Sequence, residues 1–245
     1  MSLPQIIAHR GNKSVAPENT LPAFASAVKA GAGSIEMDVV LSSDGVAMVI
    51  HDDTLDATTS GAGHVAGFTA AEIQQLDAGS WFHPAFAGVK VPTFEQFADL
   101  IALDDSIEIL LEFKGTWTVD QVRPVVEAVT SRGLLDRTIL QSFMRETVES
   151  LLAVCPETRR GVLIESGFDG LIELASQAGI YTINPDVDWL LANPEFVSEL
   201  HAAGIKTQVW TANDPAQWER LVELGVDGII TDRPDALAGW FAARA

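Results

Sequence analysis

The chain has 245 residues, which is enough for one large α/β domain, and 47% of them are hydrophobic, which supplies an ample core. Its 34 acidic and 15 basic residues give a net charge of −19, and such a surface repels nucleic acid and anionic lipid headgroups. An anionic ligand would need local cations or a metal ion to hold it. We therefore expect a small-molecule partner and no nucleic acid, while the oligomeric state stays open.

The start of the sequence has no basic segment followed by an apolar core, and no apolar run approaches the length that spans a membrane. The lone cysteine, Cys155, can form no intrachain disulfide. Its position between a helical pattern and Pro156 indicates a buried structural thiol rather than a nucleophile. These features predict a cytoplasmic protein without stable membrane insertion.

Short apolar runs alternate with amphipathic helical patterns along most of the chain. The runs predict eight strands, at Gln5–His9, Ser34–Val40, Glu108–Lys114, Thr138–Ser142, Arg160–Ile164, Tyr181–Asn184, Lys206–Trp210 and Gly228–Thr231. The patterns predict helices at about Leu21–Ala30, Phe94–Leu103, Val119–Arg132, Arg145–Val154, Gly170–Gln177, Pro194–Ala203, Pro215–Leu224 and Asp235–Ala243. Eight such units indicate an α/β fold of the (β/α)8 TIM-barrel type, with functional residues where the strands end. An open doubly wound sheet is the alternative, but no glycine fingerprint follows the first strand.

A β-hairpin is predicted from the second strand and a further short strand at Val46–Ile50, which directly precedes His51; Asp44-Gly45 between them supplies turn residues that tolerate positive φ. With these two residues at the centre of the turn, His51 would pair with Asp38 across the hairpin. Glu36 lies on the same face as Asp38 because side chains on a strand repeat every two residues. The hairpin is therefore expected to bring Glu36, Asp38 and His51 together.

Residues 53–91 fit none of the eight units. The segment is rich in Gly, Thr and Ala, has a helical pattern over Thr69–Leu76, and carries the aromatic residues Trp81, Phe82 and Phe86. The aromatic residues argue against a disordered loop. We interpret the segment as a small lobe, inserted into a single domain that spans residues 1–245 and lying over the mouth of the barrel.

Two of the five histidines, His9 and His51, stand where predicted strands end. A single histidine in such a place is commonly structural. Two of them near an acidic pair suit general acid–base catalysis, because one can accept a proton while the other donates one. His64 and His83 fall in the insertion and His201 in a helical pattern, so these three are interpreted as surface or structural residues.

Three carboxylates, Glu36, Asp38 and Glu112, fall on strands that are otherwise apolar. An inward carboxylate is costly unless it is paired or bound to a cation. One interpretation is an ion-pair network with Arg10 and Lys114. The other is one hard divalent cation, Mg²⁺ or Ca²⁺, which prefers oxygen ligands and fits three carboxylates better than zinc does. Lys114 shares a strand face with Glu112, so it would lie beside the ion, where it can neutralise a phosphate.

Two further positions have two interpretations each. Glu18 lies in the segment that precedes the first predicted helix, so it is either a plain loop acid or a group that orients Arg10 or contacts a substrate. Trp210 lies at the exit of a strand. Its ring would either form an apolar wall for the neutral part of a ligand or pack in the core.

Taken together and in order, these segments resemble the glycerophosphodiester phosphodiesterase family. The segments that carry the resemblance are His9-Arg10-Gly11, Ala16-Pro17-Glu18-Asn19-Thr20, Glu36-x-Asp38, His51-Asp52, Glu112-x-Lys114, Trp210 and Gly228-Ile229-Ile230-Thr231-Asp232-Arg233-Pro234. This ordered set runs through nearly the whole chain and is highly specific.

The resemblance implies a TIM barrel with a small insertion after the His51 strand. It implies an enzyme that hydrolyses glycerophosphodiesters to glycerol 3-phosphate and an alcohol with the help of one divalent cation. The residues that it implies are His9 and His51 as the acid–base pair, Glu36, Asp38 and Glu112 on the cation, and Arg10, Lys114, Glu18 and Trp210 for substrate binding.

Two other functions stay open at this point. A lysophospholipase D-type phosphodiesterase would need an apolar channel for an acyl chain, which Trp81, Phe82 and Phe86 of the insertion could line. A non-catalytic module that binds phosphate esters would keep Arg10 and Lys114 but would have no need for two histidines. The residues also leave open which histidine is the acid, and whether water or a glycerol hydroxyl is the nucleophile.

Overall fold

The computed structural model describes residues 3–244. The strands in these residues are β1 (Gln5–His9), β2 (Ser34–Leu41), β3 (Ala47–Val49), β4 (Glu108–Phe113), β5 (Thr138–Ser142), β6 (Arg159–Ile164), β7 (Thr182–Pro185), β8 (Lys206–Val209) and β9 (Gly228–Thr231). The α-helices are α1 (Leu21–Lys29), α2 (Ala70–Ile73), α3 (Phe94–Ile101), α4 (Val119–Ser131), α5 (Arg145–Val154), α6 (Leu171–Gln177), α7 (Val187–Ala192), α8 (Glu195–Ala202), α9 (Pro215–Leu224) and α10 (Pro234–Ala242).

Eight of the strands form a closed parallel barrel. They pair in the order β1-β9-β8-β7-β6-β5-β4-β2, and β2 also pairs with β1, so the sheet closes on itself. β3 is antiparallel and pairs with β2 outside this series. The predicted TIM barrel is therefore confirmed. Its strands read as continuous apolar runs because parallel strands in this fold are covered by helices on one side and by the packed barrel interior on the other.

The eight predicted barrel strands agree with the observed ones to within one residue at every end, but the short helix α7 was missed. α7 begins after Asp186, whose carboxylate accepts hydrogen bonds from the backbone N–H groups of Asp188 and Trp189. Such an acceptor satisfies donors that the first turn of a helix leaves free. Six residues are less than two turns, too few for the apolar repeat to be recognised.

The register predicted for the hairpin is wrong by one residue. Val39 pairs with Val49 and Leu41 pairs with Ala47, which places Asp38 opposite Ile50 rather than His51. The loop has three residues instead of two, and its last residue, Gly45, has φ +79°. A three-residue loop with a left-handed glycine adds one residue to the connection and shifts every pair across the hairpin by one.

Most of the apolar core lies between the barrel and its helices, in two large clusters. A smaller cluster fills the inside of the barrel and consists of Ile7, Leu110, Ile139 and Ile230, all at most 2% exposed. These four side chains close the barrel interior. The next inward layer therefore lies nearer the carboxyl ends of the strands, where TIM-barrel sites are found.

Residues 53–91 follow β3 and precede α3. Leu55, Val65 and Ile73 of this segment are fully buried and pack with Met48 and Ile50 beside β3. α2 within it begins with a capping box, in which Thr69 and Glu72 satisfy each other's backbone N–H groups. The segment therefore has its own apolar cluster, attached to the barrel through the hairpin.

Cys155 is buried after α5, as predicted, and its Sγ accepts a hydrogen bond from Thr158 Oγ1 at 2.6 Å. Within residues 3–244, none of the helices combines the length and the apolar character that crossing a bilayer requires. Residues 3–244 thus consist of the barrel, its surrounding helices and the inserted segment.

Candidate active site

The polar site forms one layer above the apolar floor of the barrel. His9, Glu112 and Gln141 each lie two residues beyond an apolar side chain of that floor, on the same inward face. The strand register places His9 beside Glu36, Asp38 beside Glu112, and Glu112 beside Gln141. The barrel therefore converts single polar positions on separate strands into one continuous group.

Glu36, Asp38 and Glu112 form a buried acidic cluster. Their side chains each offer a carboxylate oxygen, and these oxygens lie within 4.8 Å of one another. The three residues are 2%, 1% and 6% exposed, respectively. Carboxylates buried this closely repel one another strongly unless a cation or a proton lies among them.

Two cations face this cluster. Lys114 Nζ lies 2.7 Å from Glu112 Oε1 and 3.4 Å from Asp38 Oδ1, and Arg10 Nε lies 3.4 Å from Asp38 Oδ2. Arg10 also donates to Glu18 Oε1 at 2.7 Å. Glu18 therefore orients the guanidinium, which is one of the interpretations given for it above. Both cations are thereby held in the lining of the pocket, although neither cancels the whole charge of the cluster.

The three carboxyl groups respond differently to this environment. Burial by itself would raise the pKa of Asp38, but the charges of Lys114 and Arg10 lower it to about 2. Burial and the charge of Asp38 raise the pKa of Glu112 to about 7. Burial, followed by the charges of Asp38 and Glu112, raises the pKa of Glu36 well above its ordinary value. Glu36 and Glu112 are therefore the two acids of the cluster that bind a proton most readily when no divalent cation is present.

The acidic cluster fits a divalent cation. Asp38 Oδ1 is buried and accepts no hydrogen bond from the described residues, although Lys114 lies at ion-pair distance. Asp38 Oδ2, in contrast, accepts a hydrogen bond from Asn19 Nδ2 at 2.8 Å. An unpartnered carboxylate oxygen among three acids is a natural ligand for a hard cation such as Mg²⁺ or Ca²⁺.

The backbone at Arg10 is bent to bring the site together. Arg10 has φ +57°, and Asn19 has φ +55°, in the left-handed region that non-glycine residues seldom adopt. Arg10 N–H donates to Glu36 Oε2 at 3.0 Å, and its carbonyl accepts from Asn19 N–H at 3.0 Å. Such strain is commonly stored at functional sites, where the surrounding structure holds it in place.

Each of the two predicted histidines has a carboxylate on its Nδ1. His9 Nδ1 lies 2.6 Å from Asp232 Oδ1, and His51 Nδ1 lies 2.6 Å from Asp52 Oδ1. Burial lowers the pKa of both histidines, and the carboxylate partners oppose this effect. An ionised carboxylate only accepts, so Nδ1 carries the proton and Nε2 is the ring nitrogen left for proton exchange.

The pocket enclosed by these groups has a volume of about 110 Å³. Its lining consists of His9, Arg10, Glu36, His51, Glu112, Lys114, Gln141, Phe143, Leu163, Trp210, Thr211 and Ile230. Trp210 forms part of the wall and packs edge to face on Phe143, with ring centroids 5.6 Å apart. A larger hollow of about 360 Å³ near α6 and α8 contains neither histidines nor basic side chains, so its volume does not make it the site.

All nine predicted site residues therefore meet at one end of the barrel. The other three histidines lie elsewhere: His64 and His83 in the inserted segment, and His201 on α8 beside Asp227. Two neighbours of the site were missed. Asp232 directly follows β9, and a carboxylate at a strand exit is a usable signal. Gln141 is a polar residue near the end of an apolar run, which is a weaker signal of the same kind, because its hydrogen bond depends on a side chain from another strand.

Comparison with known proteins identifies the family of the chain. The model of the glycerophosphoryl diester phosphodiesterase family matches residues 9–236. A glycerophosphodiester phosphodiesterase of Caldanaerobacter subterraneus subsp. tengcongensis is 35% identical over 234 residues, which are 95% of each chain. A glycerophosphodiester phosphodiesterase of Bacillus altitudinis is 32% identical over 94% of this chain and 95% of its own.

Solved structures give the same result. An Oleispira antarctica phosphodiesterase, in complex with the product sn-glycerol-3-phosphate, superposes with a TM-score of 0.92 at 30% identity and covers 98% of this chain and 97% of its own. A glycerophosphodiester phosphodiesterase of Agrobacterium tumefaciens superposes with a TM-score of 0.85 at 31% identity, over 97% of this chain and 100% of its own. The resemblance read from the motifs is confirmed, and the chain belongs to the glycerophosphoryl diester phosphodiesterase family.

Proposed function

We propose that this chain hydrolyses glycerophosphodiesters to glycerol 3-phosphate and an alcohol, using one divalent cation and two histidines. The proposal rests on one observation: three buried carboxylates, two histidines and two cationic side chains surround one small pocket. Each histidine is hydrogen-bonded to a carboxylate. The glycerol 3-phosphate bound to the Oleispira antarctica relative supports the choice of product. The free thiol of Cys155 is consistent with the cytoplasmic location that we propose.

Glu36, Asp38 and Glu112 are the residues that would hold the cation, and their oxygen-only donor set favours Mg²⁺ or Ca²⁺. When bound, such an ion supplies positive charge that stabilises the phosphate as its negative charge develops. Arg10 and Lys114 add two fixed positive charges at the same place. Because each is already oriented by a carboxylate, little rearrangement is needed when the substrate arrives.

The two imidazoles are proposed to move the protons. Asp232 holds His9 and Asp52 holds His51, so that Nε2 of one ring can accept a proton from the nucleophile. The other ring, in its protonated form, gives a proton to the leaving alkoxide. The nucleophile is water or the substrate's own glycerol hydroxyl. In the second case a cyclic phosphate forms first, and water then opens it.

The test is turnover of glycerophosphocholine with Mg²⁺ or Ca²⁺ supplied separately after treatment with EDTA. We expect activity only with a divalent cation, and a fall of roughly 10²- to 10⁴-fold for His9→Ala and for His51→Ala. Near-full turnover by either variant would overturn the acid–base assignment. Unchanged activity in EDTA would overturn the metal assignment, and absence of turnover with either cation would favour a binding module.

A lysophospholipid is the competing substrate class. It needs an apolar channel, but Phe82 packs edge to face on both Trp81 and Phe86, and none of the three lines the pocket in the described residues. We therefore favour the deacylated diester. Comparing kcat/KM for lysophosphatidylcholine and glycerophosphocholine checks this choice, which fails if the lysolipid is the better substrate.

A further inference from the structure

The pocket has two chemically different halves. One half, from β1, β2 and β4, carries the histidine, carboxylate and cationic groups already described. The opposite half comes from β5, β6, β9 and the residues that follow β5 and β8, and it consists of Gln141, Phe143, Leu163, Trp210, Thr211 and Ile230. Gln141 is the one fully buried polar side chain on that half among residues 3–244. Since the first half serves a phosphate and a cation, the second half faces the uncharged part of a ligand.

Only the oxygen of the Gln141 side-chain amide is hydrogen-bonded within the described residues. Its Oε1 accepts a hydrogen bond from Asn184 Nδ2 at 2.7 Å. Its Nε2 is buried and has no partner among the described residues. Buried polar groups are nearly always paired, so an unpaired amide donor that lines a pocket indicates a partner supplied by the ligand.

The direction of the Gln141 amide follows from a backbone group. The N–H of Gln208 can only donate, and it donates to Asn184 Oδ1 at 3.1 Å. Asn184 Nδ2 must therefore face Gln141, and Gln141 accepts this hydrogen bond with Oε1. The amide orientation is thus set by the hydrogen-bond network, which leaves the two N–H donors of Gln141 for the pocket.

Neighbouring residues reinforce this arrangement. Gly161 lies between the two amides, and a Cβ there would come within 3.1 Å of Gln141 Cβ and 3.5 Å of Asn184 Nδ2. Trp210 Nε1 donates to the carbonyl of Asn184 at 2.7 Å, so the indole offers the pocket only its carbon surface. Among the buried groups on this side, the donor that remains for a ligand is Gln141 Nε2, whereas Thr211, which also lines the pocket, is partly exposed to water.

We propose that Gln141 Nε2 donates a hydrogen bond to a hydroxyl oxygen of the glycerol moiety, and that it makes the enzyme select glycerol. This inference rests on the proposed function. A neutral donor suits a neutral oxygen, whereas the phosphate has Arg10 and Lys114. A site built to pair with a hydroxyl discriminates strongly against an analogue without it, because the buried donor is then left unpaired.

The experiment compares the binding of glycerol 3-phosphate and propyl phosphate, which has the same carbon skeleton without hydroxyls, by calorimetry with Mg²⁺ present. The wild-type chain is expected to bind glycerol 3-phosphate at least about 10-fold more tightly. Gln141→Met keeps the side-chain volume and removes both donors, so the two ligands should bind it about equally. An unchanged ratio in Gln141→Met, an equal loss for both ligands, or no preference in the wild type would each overturn the assignment.

Two further variants keep the test decisive. Gln141→Leu also removes both donors and introduces no group that can titrate, so the same loss of preference is expected even if the methionine variant does not fold. Thr207→Val is the matched control, because Thr207 Oγ1 is also buried and unpartnered but Thr207 does not line the pocket. We expect its ligand ratio to stay within about twofold of wild type. If the wild type hydrolyses no glycerophosphodiester, the proposed function itself fails, a result distinct from failure of the Gln141 assignment.

Discussion

Glu112 shows how one buried group can make the stability of the chain depend on pH. Its pKa is raised from an ordinary 4.5 to about 7 by burial and by the charge of Asp38. Between these pH values the folded chain keeps a proton that the unfolded chain has released. The contribution of Glu112 to the free energy of unfolding therefore decreases as pH rises from about 4.5 to about 7. His9 and His51, whose pKa values are lowered, contribute with the opposite sign below about pH 6.5.

Because these contributions oppose one another, the informative quantity is a difference between two proteins. Glu112→Gln removes the titrating carboxyl, so without divalent cations its unfolding free energy relative to wild type should increase as pH rises from about 5 to about 7.5. Chemical denaturation at several pH values, in the presence of EDTA, measures this difference. Adding Mg²⁺ or Ca²⁺ should stabilise the wild type at pH 7.5 and have a much smaller effect on the variant.

Glu219→Gln provides the control, because it makes the same change of charge at an exposed position on α9. Its difference from wild type should be nearly independent of pH. If Glu219→Gln and Glu112→Gln show the same pH dependence, Glu112 does not titrate as described.

At the scale of the element, the β2–β3 hairpin depends on a single left-handed residue. Gly45 has φ +79°, and an added Cβ would contact nothing within 4 Å, so the conformation alone requires glycine. The hairpin carries both Asp38 and the connection to His51. Its register therefore affects the acidic cluster and one of the two histidines.

We expect Gly45→Ala to lower the free energy of unfolding by about 1–2 kcal/mol, the cost of a left-handed conformation for a residue with a Cβ. Gly239→Ala is the matched change: Gly239 lies on the exposed side of α10, has no positive φ, and also has open space around its Cα. That substitution should raise stability by about 0.5–1 kcal/mol. Urea denaturation of both variants tests the pair, and equal effects would contradict the role of φ.

At the scale of the whole molecule, the barrel and the inserted segment have separate apolar clusters. The cluster of the insertion includes Ile73, which is fully buried, and Ile50, which directly precedes His51. A change inside the insertion can therefore reach the site through the strand end without touching the barrel core.

Ile73→Ala should open a cavity that costs roughly 2–5 kcal/mol locally. We expect faster amide hydrogen exchange over residues 53–91 and reduced turnover, while β5 to β7 keep their protection. Leu221→Ala is the comparison, because Leu221 is equally buried but packs between α9 and the barrel. It should accelerate exchange in the barrel. Uniform acceleration by Ile73→Ala would show that the insertion and the barrel unfold as one unit.

Closure of the barrel also explains why distant parts of the chain act together. His9 and Asp232 are 223 positions apart in sequence, yet their side chains lie 2.6 Å apart because β1 pairs with β9. Likewise β1 pairs with β2, which places His9 beside Glu36. The chain as a whole carries a net charge of −19, which repels an anionic ligand. Within the site, Arg10 and Lys114 provide the local positive charge that attracts such a ligand.

Much of the fold and of the site was determined by the sequence alone. Alternation of apolar runs and amphipathic patterns indicates the parallel barrel, and parallel strands must place their carboxyl ends together. Glu36, Asp38, Glu112 and His9 could therefore be assigned to one site, since each interrupts or ends an apolar strand. Those signals are local, and they need no knowledge of how the chain closes.

Tertiary structure decided what depends on contacts between strands. The hairpin loop has one residue more than the two-residue turn predicted from the sequence. As a result, Ile50 and not His51 lies opposite Asp38. The pairing of His9 with Asp232 required closure of the barrel. The orientation of Gln141 required a hydrogen bond that begins at the backbone of Gln208 and passes through Asn184. Such relations join residues that are far apart in sequence, so no local periodicity contains them, and they become definite only when the strands have a register.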